Sequence, residues 1–216
     1  QIQRVIEIAS ADSSNKILVL SAMAGTTDQL VAIANQLEQA CPEAAHEIFG
    51  RLLVQYQDLV DELFYAPPYR AKAATIISRF QDDSWALINA DFTSSIKKKL
   101  VVQGEFILTR LFHLACQQVG VESLWLSSPD YIKVDHLGQP DIAYTKRKLK
   151  ALLHKKDAHP IYVLQGFVCR NYLGEIVILG RGGSDYTATI VGAALEVQEV
   201  HIWTDINGIH NIDHRF

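Results

Sequence analysis

Apolar residues along this chain recur in two alternating rhythms, a helical spacing near 3.6 and short unbroken runs. Ile2, Val5, Ile6 and Ala9 share one helical face, and residues 10–15 form a polar loop. The run from Lys16 to Ser21 predicts a buried strand. Apolar positions then return at Leu30, Ile33, Ala34 and Leu37, which is helical. Pro42 suits the first residue of a second helix, carrying Ile48, Leu52, Tyr56, Leu59 and Leu63. Pro67-Pro68 is read as its end, with a further helix over 72–89.

The second half is more regular. A helix over 105–118 closes at Gly120, where a C-cap glycine belongs. Strands are predicted at 122–127, 159–164, 175–179 and 200–203, and helices at 143–155 and 185–195. Strands linked by crossover helices imply an α/β protein, a three-layer αβα sandwich around a mainly parallel sheet. No repeat or linker divides it, so residues 1–216 are read as one domain, with 28–90 a helical insertion over one end of the sheet. Both ends read as truncated. The first helix follows no strand, and the chain closes at Phe216 just past one.

Composition narrows the class. With 49% hydrophobic residues among 216, the chain buries roughly 70% of its unfolded surface and is not disordered. The net charge of −4 gives no basic footprint for nucleic acid. Lys97-Lys98-Lys99 and Lys146-Arg147-Lys148 read as solvated faces. No apolar run is long enough for a membrane span, and Gln1 to Arg4 have no signal-peptide pattern. Cys41, Cys116 and Cys169 are scattered, without a CxxC pair, which fits a reducing cytoplasm.

In open parallel sheets ligands sit beyond the carboxyl ends of the strands, so the chemistry is sought in the loops after them. Three loops qualify: Ser21-Ala22-Met23-Ala24-Gly25-Thr26-Thr27, Gly180-Arg181-Gly182-Gly183-Ser184-Asp185 and Thr204-Asp205-Ile206-Asn207-Gly208. In the second, the glycines let backbone N–H groups face a ligand, and Ser184 is placed to cap a helix whose N-terminus favours an anion. Arg181 can grip a carboxylate or phosphate with two parallel hydrogen bonds, and Asp185 could orient a lysine or a metal. A tight, well-capped turn is the bland alternative, and the arginine at a ligand edge tips the balance towards function. Neither GxxxxGK[ST] nor a full GxGxxG is present, since Asp185 stands where the last glycine belongs. Glu105, after Gln103-Gly104, either completes the electrostatics of a helix start or binds an ammonium group. His210 and His214 lie four apart in a loop rather than a helix, so no metal site is assigned. No Ser/Cys–His pairing stands out for acyl transfer.

Taken together, five segments resemble the aspartate kinases of the amino-acid kinase superfamily. They are Leu20 to Thr27 with Leu30-Val31, Gln103-Gly104-Glu105, Gln165-Gly166-Phe167, Leu179 to Tyr186, and Ile202 to Ile209, in the family's order. The resemblance implies the amino-acid kinase fold and ATP- and Mg²⁺-dependent phosphorylation of the L-aspartate side-chain carboxylate, the entry to lysine, threonine and methionine synthesis. It implies that Glu105 holds the substrate ammonium and Arg181 its α-carboxylate, with Ser21, Ala22, Thr27, Phe167 and Ser184 lining the pocket. By the same resemblance Asp185 is catalytic, organising a lysine and the attacking carboxylate. Thr204 and Asp205 meet the nucleotide's ribose and base side, His210 lies near it, and Arg215 meets its phosphates. A cytoplasmic homodimer is the family expectation.

The chain departs from the family pattern in places. The Lys-Phe-Gly-Gly-Thr-Ser segment, which carries a catalytic lysine, belongs just before residue 1, and the usual regulatory domains do not follow Phe216. His210 replaces a tyrosine, Asp213-His214-Arg215 stands for Asp-Pro-Arg, and Ile178 replaces a threonine. The rival readings are a superfamily kinase for glutamate, acetylglutamate or UMP, and a non-catalytic binding or regulatory relative.

Overall fold

Three parallel strands, β1 (Lys16–Leu20), β2 (Ser123–Trp125) and β3 (Ile161–Gln165), form the spine of the computed structural model, in the order β1-β3-β2. The structure describes residues 1–153 and 161–203. All five residues of β3 are buried, as an apolar strand covered on both faces must be. Successive side chains alternate between the faces. Ile161 and Val163 join one hydrophobic cluster, and Tyr162 and Leu164 the other. The register sets Leu20 level with Gln165, so β1 and β3 end side by side.

The first cluster is roofed by α1 (Ile2–Ala9) and by the helical insertion. That insertion comprises α2 (Thr26–Glu38), α3 (Pro42–Leu63) and α4 (Pro67–Ile88). Phe49 and Tyr56 of α3 meet Phe80 of α4, with ring centroids 5.7 and 5.4 Å apart. The pair Pro67-Pro68 opens α4 instead of closing α3. A proline lacks the N–H that a first helical turn leaves unpaired anyway, so it starts helices cheaply.

Between the insertion and β2 lie α5 (Ser94–Val101) and α6 (Gln103–Gln118). The sequence pattern did not reveal α5, because three lysines interrupt its apolar period. Thr93 caps it, its side chain accepting the Ile96 N–H at 3.1 Å. Beyond α6, Gly120 takes φ +74° as a helix-ending glycine. The second cluster is covered by α7 (Ser128–Tyr131), α8 (Ile142–Leu153) and α9 (Gly183–Leu195).

Two expected strands need correction. Residues 175–179 do not extend the parallel sheet. β4 (Val168–Arg170) and β5 (Ile176–Ile178) make a separate antiparallel hairpin. Only Gly166 and Phe167 separate β3 from β4, too few for a parallel crossover. Asn171 closes the hairpin loop, its side-chain oxygen accepting the N–H groups of Leu173 and Glu175 at 3.0 and 2.9 Å. Residues 200–203 pair with no described strand, and Val200 instead lies against Gly192 of α9. No helix among the described residues is long and apolar enough to cross a membrane.

Candidate active site

Where β1 and β3 end, the chain must leave the sheet, and it does so twice around one hollow. From β1 it passes through Ser21 to Gly25 into α2; from β3 it turns at Gly166-Phe167 into the hairpin. The Gly166 N–H donates to the Leu20 carbonyl at 2.8 Å, tying the two exits together. The hairpin then returns the chain to the same place, because the Leu179 N–H donates to the Phe167 carbonyl at 2.9 Å. Residues 180–182 cross the hollow and enter α9. The result is a cleft of about 350 Å³, lined by Ser21, Thr27, Glu105, Phe167, Gly180 to Gly183, Arg181, Ser184 and Asp185 among them.

Two glycines are steric requirements of this arrangement. A Cβ on Gly166 would lie 2.8 Å from the Ser184 Cα, and one on Gly104 would lie 2.9 Å from the Ala22 Cβ. Gly104 therefore lets the first turn of α6 approach the loop after β1, which is how Glu105 reaches the cleft. Ala22 stands at that contact and its backbone N–H faces the Glu105 carboxylate.

Glu105 is 3% exposed, and its Oε2 has no hydrogen-bond partner. Burial pushes its carboxyl up to about 7, and the N–H groups of Glu105 itself and Ala22 offset only part of that. Tyr56 lies close by, its hydroxyl 3.3 Å from Thr26 Oγ1, and burial drives its ionisation out of the physiological range. An unpartnered carboxylate oxygen facing a cleft is a receptor for a cation that can donate a hydrogen bond.

Arg181 stands at the exposed rim with Asp185, while Ser184 is half-buried. The expected serine cap of α9 is not formed. The cap position falls on Gly182 (φ +69°), and no side chain caps the helix. Ser184 sits instead in the first turn against Gly166. The Gly183 N–H is taken by the Gly180 carbonyl at 3.0 Å, and the glycine cap in the left-handed region leaves the next turn of this thirteen-residue helix without a side-chain cap, which suits an anion. Phe167 is a non-glycine residue at φ +68°, a costly conformation held by its N–H bond to Thr187 Oγ1 at 2.9 Å and by its carbonyl.

Ser21, Ala22, Thr27, Glu105, Phe167, Arg181, Ser184 and Asp185 thus come together. Thr204, Asp205, His210 and Arg215 lie outside the described residues. Sequence reasoning missed the roles of Gly104, Thr26, Tyr56, Gly166 and Thr187. The two glycines and Thr26 sit within segments already singled out, whereas Tyr56 reads as one more apolar-face residue of α3. No group of three or more His, Cys, Asp or Glu among the described residues is arranged to hold a metal.

Similarity to known proteins extends over nearly the full length of the chain. The profile of the amino acid kinase family matches residues 1–215. Bifunctional aspartokinase/homoserine dehydrogenase 2 of Escherichia coli K12 is 31% identical over 214 residues, 96% of this chain and 26% of that protein. Lysine-sensitive aspartokinase 3 of the same organism is 30% identical over 215 residues, 98% of this chain and 47% of that one. The structure of E. coli aspartokinase III in complex with aspartate and ADP matches with a TM-score of 0.77 at 28% identity, covering 99% of this chain and 48% of that one. The chain therefore spans between about a quarter and about half of these relatives.

Proposed function

The chain belongs to the amino acid kinase family, and from that premise we propose that it is the catalytic part of an aspartate kinase, making 4-phospho-L-aspartate from L-aspartate and ATP. The observation that carries this reading is the pairing of Glu105 and Arg181 around one cleft. A buried carboxylate with an open oxygen suits an α-ammonium group, and a guanidinium suits an α-carboxylate. A small zwitterion satisfies both, and the rim is left for its side chain. Ser21, Ala22, Thr27, Phe167 and Ser184 shape the remainder of the pocket.

Phosphoryl transfer then needs alignment more than covalent help. The side-chain carboxylate of aspartate is already ionised at neutral pH, so no general base is required. One of its oxygens forms a bond to the γ-phosphorus as the bond from that phosphorus to the bridging oxygen of ADP breaks. The uncapped start of α9, with Gly182 and Gly183 free of side-chain bulk, suits the phosphoryl oxygens. Mg²⁺ would arrive with the triphosphate and offset its charge, and Asp185, at the rim of the cleft, is the carboxylate proposed to organise a lysine and the attacking carboxylate. Thr204, Asp205, His210 and Arg215 remain the proposed nucleotide contacts. Residues 1–216 are proposed as one partial kinase domain with the insertion at 28–90, acting as a cytoplasmic homodimer.

Incubating the protein from its complete reading frame with ATP, Mg²⁺ and L-aspartate should yield an acyl phosphate that hydroxylamine traps as a hydroxamate. Glutamate, acetylglutamate and UMP in place of aspartate should give background, and a better signal from any of them overturns the assignment. Arg181→Ala is expected to raise the aspartate KM about 100-fold while moving the ATP KM little, as loss of a charge-assisted carboxylate contact implies. Parallel initial-rate titrations of the two substrates make that comparison.

A further inference from the structure

Thr109 lies one turn beyond Glu105 on α6 and is completely buried. Its hydroxyl uses all of its bonding capacity. It donates to the Glu105 carbonyl at 2.8 Å, with the Phe106 carbonyl at 3.2 Å as the alternative. It accepts from the Gln165 side-chain amide at 2.8 Å and from the Trp125 indole N–H at 3.0 Å. Gln165, also fully buried, is the last residue of β3. Its side-chain oxygen accepts the Ser128 N–H at 2.8 Å, and its carbonyl accepts the Ser128 hydroxyl at 2.6 Å.

The network has an unusual placement. A core could be filled at this point by apolar side chains at no hydrogen-bonding risk, since a partly satisfied buried network is worse than none. Here one hydroxyl joins three elements: the turn of α6 that carries Glu105, the edge strand β2, and the end of β3. Two residues after Gln165 comes Phe167, which has a left-handed backbone and lines the same cleft as Glu105. The ammonium-binding side and the Phe167 side of the pocket are therefore referenced to each other through Thr109 and Gln165, neither of which lines the cleft.

We propose that Thr109 and Gln165 are positioning residues that set the spacing between the Glu105 carboxylate and the Phe167 wall, and so the fit of the amino-acid substrate. The proposal rests on the aspartate kinase reading and adds to it the means by which the amino-acid subsite is held in register. It separates substrate-specific geometry from general stability, because among the described residues α9 shares no bond with the Thr109 hydroxyl.

The test is Thr109→Val, which keeps the shape and removes the hydroxyl, set beside Thr109→Ser, which keeps the hydroxyl. In the complete protein, Thr109→Val should raise the aspartate KM on the order of 10-fold and leave the ATP KM within about twofold. Thr109→Ser should restore most of the aspartate KM. Trp125→Phe, which removes one of the bonds to Thr109, should fall between wild type and Thr109→Val. Equal loss of active fraction with both KM values unchanged would mean a merely structural role and overturn the proposal. Should Thr109→Val fail to fold, the graded comparison of Trp125→Phe with Thr109→Ser still decides, and unchanged aspartate KM in Trp125→Phe counts against it. If wild type itself gives no aspartate-dependent hydroxamate, the functional reading fails; if wild type turns over and the variants match it, only this inference fails.

Discussion

Replacing Glu105 with glutamine is expected to make the protein more stable and nearly blind to aspartate. The carboxyl is held at about 7 against an ordinary 4.5 because burial disfavours its charged form. Between those values the folded protein holds a proton that the unfolded chain has released. The stabilising effect of that proton is complete below pH 4.5 and is lost as pH rises through 7. Glutamine removes the buried charge, so the gain belongs to the alkaline side. It should be about 3 kcal/mol at pH 8 and shrink to under about 1 kcal/mol at pH 5. Urea unfolding of both proteins at the two pH values measures it, and an equal difference at both would contradict the assignment. The cost falls on binding. Loss of a buried charge pair with the substrate ammonium should raise the aspartate KM about 100-fold or more. In wild type the ammonium favours the ionised carboxylate, so aspartate binding below pH 7 should release a proton, and the variant should release none. Calorimetry in buffers of different ionisation enthalpy separates the two.

The second large effect is expected from Gly166→Ala. The added Cβ would meet the backbone of Ser184 at 2.8 Å, and backbone cannot step aside as a flexible side chain can. The exit of β3 and the start of α9 must part, which should cost about 1–3 kcal/mol of stability. Catalysis should fall further, about 100-fold in kcat/KM, since a shift near 1 Å at a reacting centre has that scale. Gly50 in α3 provides the control. Nothing lies within 4 Å of a Cβ built there, so Gly50→Ala should gain about 1 kcal/mol from helix propensity alone and leave kinetics unchanged. Equal behaviour of the two variants would remove the close approach of β3 and α9 as a condition for activity.

Much of this architecture can be read from spacing. The long amphipathic helices α2, α3 and α6 announce themselves because each buries one consistent face. β1 and β3 do so through their apolar runs, although β1, expected to be buried, is only half-buried along its length whereas β3 is buried throughout. The failures are short or locally held elements. α5 depends on a threonine cap, α7 is a single turn, and the hairpin depends on the carbonyl-like side chain of Asn171 and on Gly174 at φ +88°. Asn171 and Gly174 are ordinary turn signals, and reading them would have turned 175–179 into the returning arm of a hairpin. The spacing sets the glycine loop at 180–183 at the end of a sheet strand, whereas it reaches the cleft because the hairpin carries it back beside Phe167 at the exit of β3. What spacing could not reveal was the environment of Glu105. Its burial comes from Gly104, Ala22 and the α3 side chain of Tyr56, which only the fold brings together.

The order of strands in the sheet also has a consequence for how the molecule is made. β1 and β2 each pair with β3 and not with one another. As the chain emerges from a ribosome, β1 therefore waits roughly 140 residues for its partner, and β2 waits as well. Helices α2 to α4, whose contacts with one another are local, can assemble during that delay and cover apolar surface that would otherwise stay bare. The insertion that hangs over the sheet is then a nurse to it during synthesis, and deleting α3 and α4 should harm the yield of folded chain more than their distance from β3 implies.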